Sequence, residues 1–130
     1  MNFSKKEILE KLEKYNFDSN EYIINSSAAL VLQDVKGYTS DIDIACSNSM
    51  YDTLLKKYNC LFEKNDGQYK VWFIDGLINF SNHYYNDIEY IELFGYKVQT
   101  IESVLSLKRN LNRKKDKNDI KLIFDFYNNK

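Results

Sequence analysis

Proline is absent from the 130 residues, and glycine occurs only four times. Chain reversals must therefore fall to Asn, Asp and those few glycines. Cysteine is scarce as well. Cys46 and Cys60 have no metal-ligand spacing and read as buried free thiols, in keeping with a reducing cytoplasm. No apolar run approaches the roughly 18–20 residues of a membrane-spanning helix, so no membrane association is expected. The opening stretch "MNFSKKEILEKLEKYN" lacks a signal-peptide pattern and reads as an amphipathic helix, which makes the expected location cytoplasmic. An excess of one charge is missing too, since 18 Lys and Arg face 19 Asp and Glu. A net charge of −1 argues against a protein whose main task is gripping a nucleic-acid backbone. The single histidine, His83 in "SNHYYND", reads as a surface or packing residue.

What is present fits one soluble globular domain over residues 1–130, with 44% hydrophobic and 28% charged residues. Ser4 and Glu7 have capping-box spacing, and Ile8, Leu9, Leu12 and Tyr15 follow at helical intervals, predicting a helix over 4–15. "EYIIN" at 21–25 is β-type, and "SSAALVLQD" after it favours a helix. "DIDIACS" at 41–47 alternates polar and apolar as a strand with one buried face, and 48–59 reads as a helix using Met50, Leu54, Leu55 and Tyr58. Asp75-Gly76 between "YKVWFI" and "LINFS" is a hairpin signal. Residues 88–100 read as extended structure broken by Gly95. Helices are predicted over 101–112 and 116–127, the second using Ile120, Leu122, Ile123 and Phe126. The expected fold class is α/β (α+β), a small mixed twisted sheet with helices packed on it and a C-terminal helix pair.

Asp41 and Asp43, in "TSDIDI", are the candidate chemical residues. On a strand, residues two apart share a face, so both carboxylates point one way while Ile42 and Ile44 point to the core. Two adjacent carboxylates repel, and a divalent cation removes that conflict. Mg²⁺ takes oxygen ligands and keeps waters or substrate phosphates in its shell. Upstream, Ser26-Ser27 stands at a strand-to-helix turn, where hydroxyls and free helix amides can meet an anion. A phosphate site beside a magnesium site is a place to hold a nucleoside triphosphate.

These residues resemble the DNA polymerase β-type nucleotidyltransferase superfamily in its minimal bacterial forms. That family runs a strand into Gly-Gly or Gly-Ser, then a helix with an Ala-Leu pair, then Thr-x-Asp-x-Asp. Ala29-Leu30 and Thr39-Ser40-Asp41-Ile42-Asp43 fall at the same spacing. A late pattern of Lys108, Arg113, Lys115, Asp116 and Asp119 matches its helix pair, so the resemblance spans roughly residues 21–125. It implies a nucleotidyltransferase-like fold, with Asp41 and Asp43 as catalytic metal ligands. It also implies nucleotide contacts from Ser26, Ser27, Thr39, Lys108 and Lys115.

Two departures stand out. Ser26-Ser27 replaces the glycine turn, which strains serine if a positive φ is required there. The family's third carboxylate sits on a later strand as apolar-Asp-apolar, and this chain has Ile78-Asn79-Phe80. Asn79 can ligate a metal but cannot take a proton, and Asp75 is the fallback acid. Tyr84, Tyr85 and Trp72 read as packing aromatics. The expected activity is Mg²⁺-dependent transfer of a nucleoside monophosphate from a nucleoside triphosphate to a hydroxyl acceptor: a protein, an RNA end or a small molecule. The chain has little room for a separate acceptor domain, so a protein partner or a homodimer is expected to complete the site. The alternative is a catalytically silent binding module of the same fold, such as a toxin–antitoxin or defence component.

Overall fold

In the computed structural model, which describes residues 2–129, every predicted helix forms within a residue or two of its expected limits. Helix α1 (Lys5–Tyr15) opens with the predicted capping box, Ser4 Oγ accepting from the Glu7 amide and Glu7 Oε1 accepting from the Ser4 amide. Strand β1 (Tyr22–Asn25) runs straight into α2 (Ser26–Leu32). Strand β2 (Ile42–Cys46) carries the acidic motif, and α3 (Asn48–Lys57) follows with Ser47 as its N-cap. Strands β3 (Leu61–Asp66), β4 (Tyr69–Ile74) and β5 (Ile78–Ser81) form a meander. Strands β6 (Tyr90–Leu93) and β7 (Tyr96–Gln99) form a hairpin, and α4 (Ile101–Leu111) and α5 (Lys117–Asn128) end the chain around a short 3₁₀ turn.

The fold is α+β, with a seven-stranded mixed sheet in the order β3-β4-β5-β2-β1-β7-β6. β1–β7 and β2–β5 are parallel, and the other pairs are antiparallel. Two features differ from expectation. Residues 61–66 form a strand that the sequence pattern did not flag, because its mixed "LFEKND" has no clear alternation. The stretch 88–100 is not one interrupted strand but the hairpin β6–β7, reversed at Phe94-Gly95, both with positive φ. That is the conformation a tight two-residue hairpin loop requires. The Asp75-Gly76 signal does mark a turn, with both residues at positive φ and the Leu77 amide returning to the Ile74 carbonyl.

Alternation along the strands gives the sheet two different faces. Tyr22, Ile24, Ile42, Ile44, Cys46, Ile78, Phe80 and Val98 belong to one core cluster with buried residues of all five helices. Each large aliphatic group buried there contributes about 1.5–3 kcal/mol. The opposite face holds only a small cluster, Ile23, Ala45 and Ile88 with Tyr84 and Tyr85 beside it. The polar residues of the central strands are therefore left facing a cleft. Cys46 is buried as expected, whereas Cys60 is only partly covered, and both are free. Trp72 is half-buried and donates to the Tyr51 hydroxyl at 2.9 Å. Among the described residues, no helix is long and apolar enough to cross a membrane.

Candidate active-site cleft

One row of the sheet sets the floor of the cleft. Asn25 on β1 pairs with Asp43 on β2, and Asp43 pairs with Asn79 on β5. Paired residues of adjacent strands project to the same face, so an amide flanks the Asp43 carboxylate on each side. Asp41 lies just before β2 and accepts from Asn79 Nδ2 at 3.2 Å. The cleft has a volume of about 490 Å³, and every predicted site residue borders it: Asp41, Asp43, Asn79, Ser26, Ser27, Thr39, Lys108 and Lys115. Residues from Ser26 to Lys115 thus meet at one place.

The floor is rich in acceptors. Asn25 Oδ1, Asn79 Oδ1 and Glu63 Oε2 are buried with no hydrogen-bond partner among the described residues, and all three side chains border the cleft. Burial raises the Asp43 carboxyl to about 7, with the charges of Asp41 and Glu63 adding to the effect. Burial raises Asp41 as well, against the opposing pull of Asn79, Lys115, Lys64 and Lys36. Leaving an acceptor buried and unpaired costs about 1–3 kcal/mol, so three in one place beside two carboxylates is a costly arrangement for the protein alone. A cation would offset it. Among the described residues no group of three or more Asp, Glu, His or Cys side chains is placed to hold a metal ion. The convergent set is two carboxylates with amide oxygens. That set suits Mg²⁺, which needs only one or two carboxylates when substrate phosphates and waters complete its shell.

The basic wall is organised differently from expectation. Ser27 Oγ does not face a ligand as a free donor. It donates to Asp119 Oδ2 at 2.7 Å. Asp119 also accepts from Lys36 at 2.7 Å and pairs with Lys108 at 3.2 Å. Lys108 pairs in turn with Asp116 at 3.2 Å, and Arg113 grips Asp116 through two nitrogens at 2.7 and 3.0 Å. Lys108, Asp116 and Asp119 are buried, so this is an internal ionic network rather than a solvated helix face. Hydrogen bonds and cations lower both aspartates despite burial, those of Arg113 and Lys108 for Asp116 and those of Lys36 and Ser27 for Asp119. Lys108 lines the cleft and at the same time belongs to this network. Lys115 remains exposed on the cleft border, and its charge acts on Asp41.

Ser26 has φ 55°, so the turn does take the left-handed conformation that glycine accepts without strain. Its amide donates to Gln99 Oε1 at 2.9 Å, and α2 is only seven residues long. The Ser26 amide and the Ser27 hydroxyl are therefore both engaged in internal bonds. Thr39 is buried and donates to the Asp41 carbonyl at 3.1 Å, while its backbone bridges Phe3. It holds the acidic loop in position. Asp75 lies outside the cleft and accepts from the Tyr15 hydroxyl, which removes it as the third acid.

The sequence pattern missed Asn25, Glu63, Lys36 and the pair formed by Asp66 and His83. His83 packs against tyrosine rings, in line with its reading as a surface or packing residue, and its Nδ1 also lies 2.7 Å from Asp66 Oδ2. One signal was available: Asp66-Gly67 repeats the dipeptide that marked the turn at Asp75-Gly76. It announces the β3–β4 hairpin, and with it Glu63 and Asp66 on the strand beside the cleft. Lys36 and Asn25 have no local signature, since their partners lie far along the chain.

No protein-family model, curated protein or solved structure matches this chain.

Proposed function

We propose that this protein is a Mg²⁺-dependent nucleotidyltransferase, moving a nucleoside monophosphate from a nucleoside triphosphate to a hydroxyl acceptor. The observation that carries this reading is the acceptor-rich floor: the paired carboxylates of Asp41 and Asp43 among the unpartnered oxygens of Asn25, Asn79 and Glu63. Asp41 and Asp43 would hold the magnesium, with Asn79 Oδ1 within the same group. When bound, Mg²⁺ offsets the charge of the triphosphate oxygens as the α-phosphorus is attacked. Lys115 and Lys64 at the border supply further positive charge for the triphosphate. The network of Lys36, Lys108 and Arg113 with Asp116 and Asp119 fixes the wall on which the nucleotide lies. Thr39 keeps Asp41 aimed at the floor. Of the acceptor hydroxyls, none is favoured by the cleft itself.

A second reading has its own support. Ser27 is committed to Asp119, an asparagine stands where a third acid is expected, and both edge strands expose apolar residues, Leu61 and Phe62 on one and Tyr90 and Ile91 on the other. Those features suit a silent module that binds a protein partner, as in a toxin–antitoxin or defence pair, or a homodimer.

Calorimetry separates the two. Each ribonucleoside triphosphate is titrated with and without Mg²⁺ into wild type and into the Asp41→Ala/Asp43→Ala variant. Magnesium-dependent binding that the variant loses is the expected result. Absence of binding by wild type at millimolar nucleotide leaves the partner-binding module.

A further inference from the structure

The transfer reaction needs a group to accept the proton of the attacking hydroxyl, and Asn79 cannot do so. Glu63 sits in the acceptor-rich floor facing Asp43, and Asp75 is outside the cleft. Besides the lysines Lys36, Lys64, Lys108 and Lys115, whose ammonium groups serve the anionic side of the site, the border carries one imidazole, His83, and its surroundings are unusual. The imidazole is sandwiched between Tyr69 and Tyr84, with ring centroids 4.2 and 3.6 Å away and planes within 10° and 15°. Its Nδ1 is 2.7 Å from Asp66 Oδ2, and its backbone amide donates to Ser81 Oγ at 2.9 Å. Tyr84 is held at φ 68°, a left-handed conformation that a bulky residue adopts only under constraint. Asp66, His83 and Tyr84 border the same cleft as Asp41 and Asp43.

These contacts have a chemical consequence. An ionised carboxylate only accepts, so Asp66 requires a proton on Nδ1. In the neutral ring the lone pair then resides on Nε2, which has no partner among the described residues. Stacking on both faces prevents the ring from flipping to the other arrangement. An acid that holds Nδ1–H while Nε2 takes the proton is the division of labour expected of a general base and its orienting partner.

We propose that His83 is the general base of the transfer and Asp66 its positioning residue, a role that rests on the transferase reading. Nε2 takes the proton from the acceptor hydroxyl as its oxygen bonds to the α-phosphorus. The bond from that phosphorus to the bridging oxygen breaks, and pyrophosphate leaves with the electron pair. The ionisable groups facing the ring are Asp66 at the end of β3, Tyr69 at the start of β4 and Tyr84 in its own loop, with Arg113 from the helix pair acting on Asp66 and Tyr84.

Because His83 is the only histidine, its ring nitrogens give a single set of signals in a long-range ¹H–¹⁵N spectrum of the intact chain. The expected neutral form is Nδ1–H in wild type and predominantly Nε2–H in Asp66→Ala. The second arm follows release of labelled adenylate and pyrophosphate from Mg·ATP, with water or glycerol as acceptor. His83→Gln is expected to bind Mg·ATP within threefold of wild type and to release product about 10²–10⁴-fold more slowly, with added imidazole restoring part of the rate. An Nε2–H wild-type ring, or His83→Gln turnover within threefold of wild type, overturns the proposal. Wild type that binds Mg·ATP but releases nothing overturns it while leaving the nucleotide site. Wild type that binds neither magnesium nor nucleotide removes the transferase reading, and the base with it.

Discussion

Asn79 sits directly across the β2–β5 ladder from Asp43, yet its amide nitrogen holds Asp41, two residues away, at 3.2 Å. One side chain thus bridges both halves of the acidic pair. It spends its donor on Asp41 and leaves its oxygen buried and unpaired beside Asp43. An aspartate in its place would lose the donor and add a third negative charge.

Asn79→Asp is therefore expected to destabilise the protein by about 1–3 kcal/mol without divalent metal, since like charges at one buried site cannot all ionise freely. Millimolar Mg²⁺ should raise its melting temperature more than that of wild type. Scanning calorimetry with and without Mg²⁺ measures both, and equal shifts in the two proteins would count against a cation on this floor.

The pH dependence of Asp43 runs opposite to that of an ordinary ion-paired acid. Its folded carboxyl is raised to about 7 from 3.8, so the folded state holds the proton more tightly than the unfolded chain does. Stability is then fully present below the unfolded value and is lost as pH rises from about 4 to about 7. Asp43→Asn should remove that loss. With allowance for the residue's partial exposure, urea unfolding should show the variant gaining roughly 1–3 kcal/mol over wild type at pH 8 and little at pH 4. A gain that is the same at both values would show that Asp43 is not the titrating group.

The ionic network predicts the reverse trend at low pH. Asp116 and Asp119 are lowered by their cationic partners, so their contribution is present above the unfolded value of 3.8 and is lost as pH falls through the folded ones. Asp119→Ala strips Lys36, Lys108 and Ser27 of a shared partner. Removing one member of a buried ion pair costs about 3–5 kcal/mol. Urea melts at pH 7 should show a loss of that size, narrowing towards pH 3, whereas a loss below about 1 kcal/mol would mean that the network is effectively solvated.

Ser26 carries strain where the β1–α2 turn passes through φ 55°. Ser26→Gly keeps the amide that donates to Gln99 and relieves the steric conflict at Cβ. Added freedom in the unfolded chain offsets part of the gain, so net stabilisation of up to about 1 kcal/mol is expected. Thermal melting of the variant checks the sign. A lower melting temperature would indicate that the Ser26 side chain contributes contacts worth more than the strain.

Much of the fold was legible because it is written in local terms. The Ser4/Glu7 box, the alternation of "DIDIAC" and the Asp75-Gly76 turn each act over a few residues, and each appears where the sequence places it. Strand β3 was not legible. It lies at the sheet edge with Leu61 and Phe62 exposed, so no buried face imposed a period on its sequence. At the site, the same-face geometry of Asp41 and Asp43 follows from a spacing of two on an extended segment, whereas the sequence left open whether the turn at Ser26 takes a positive φ, which the structure shows.

The sequence by itself determined where the acidic pair lies and which way it faces, because strand geometry carries those facts along the chain. Only the tertiary structure decided which polar groups are spent inside the protein and which are left to the cleft. Ser27 and Asp119 are 92 residues apart and Lys36 and Asp119 are 83 apart, and no local pattern encodes either pairing. A hydroxyl or an ammonium group reads the same in sequence whether it awaits a ligand or already serves a buried carboxylate. The difference is made by packing α4 and α5 beside α2, which removes water from those groups and obliges each to find its partner within the fold.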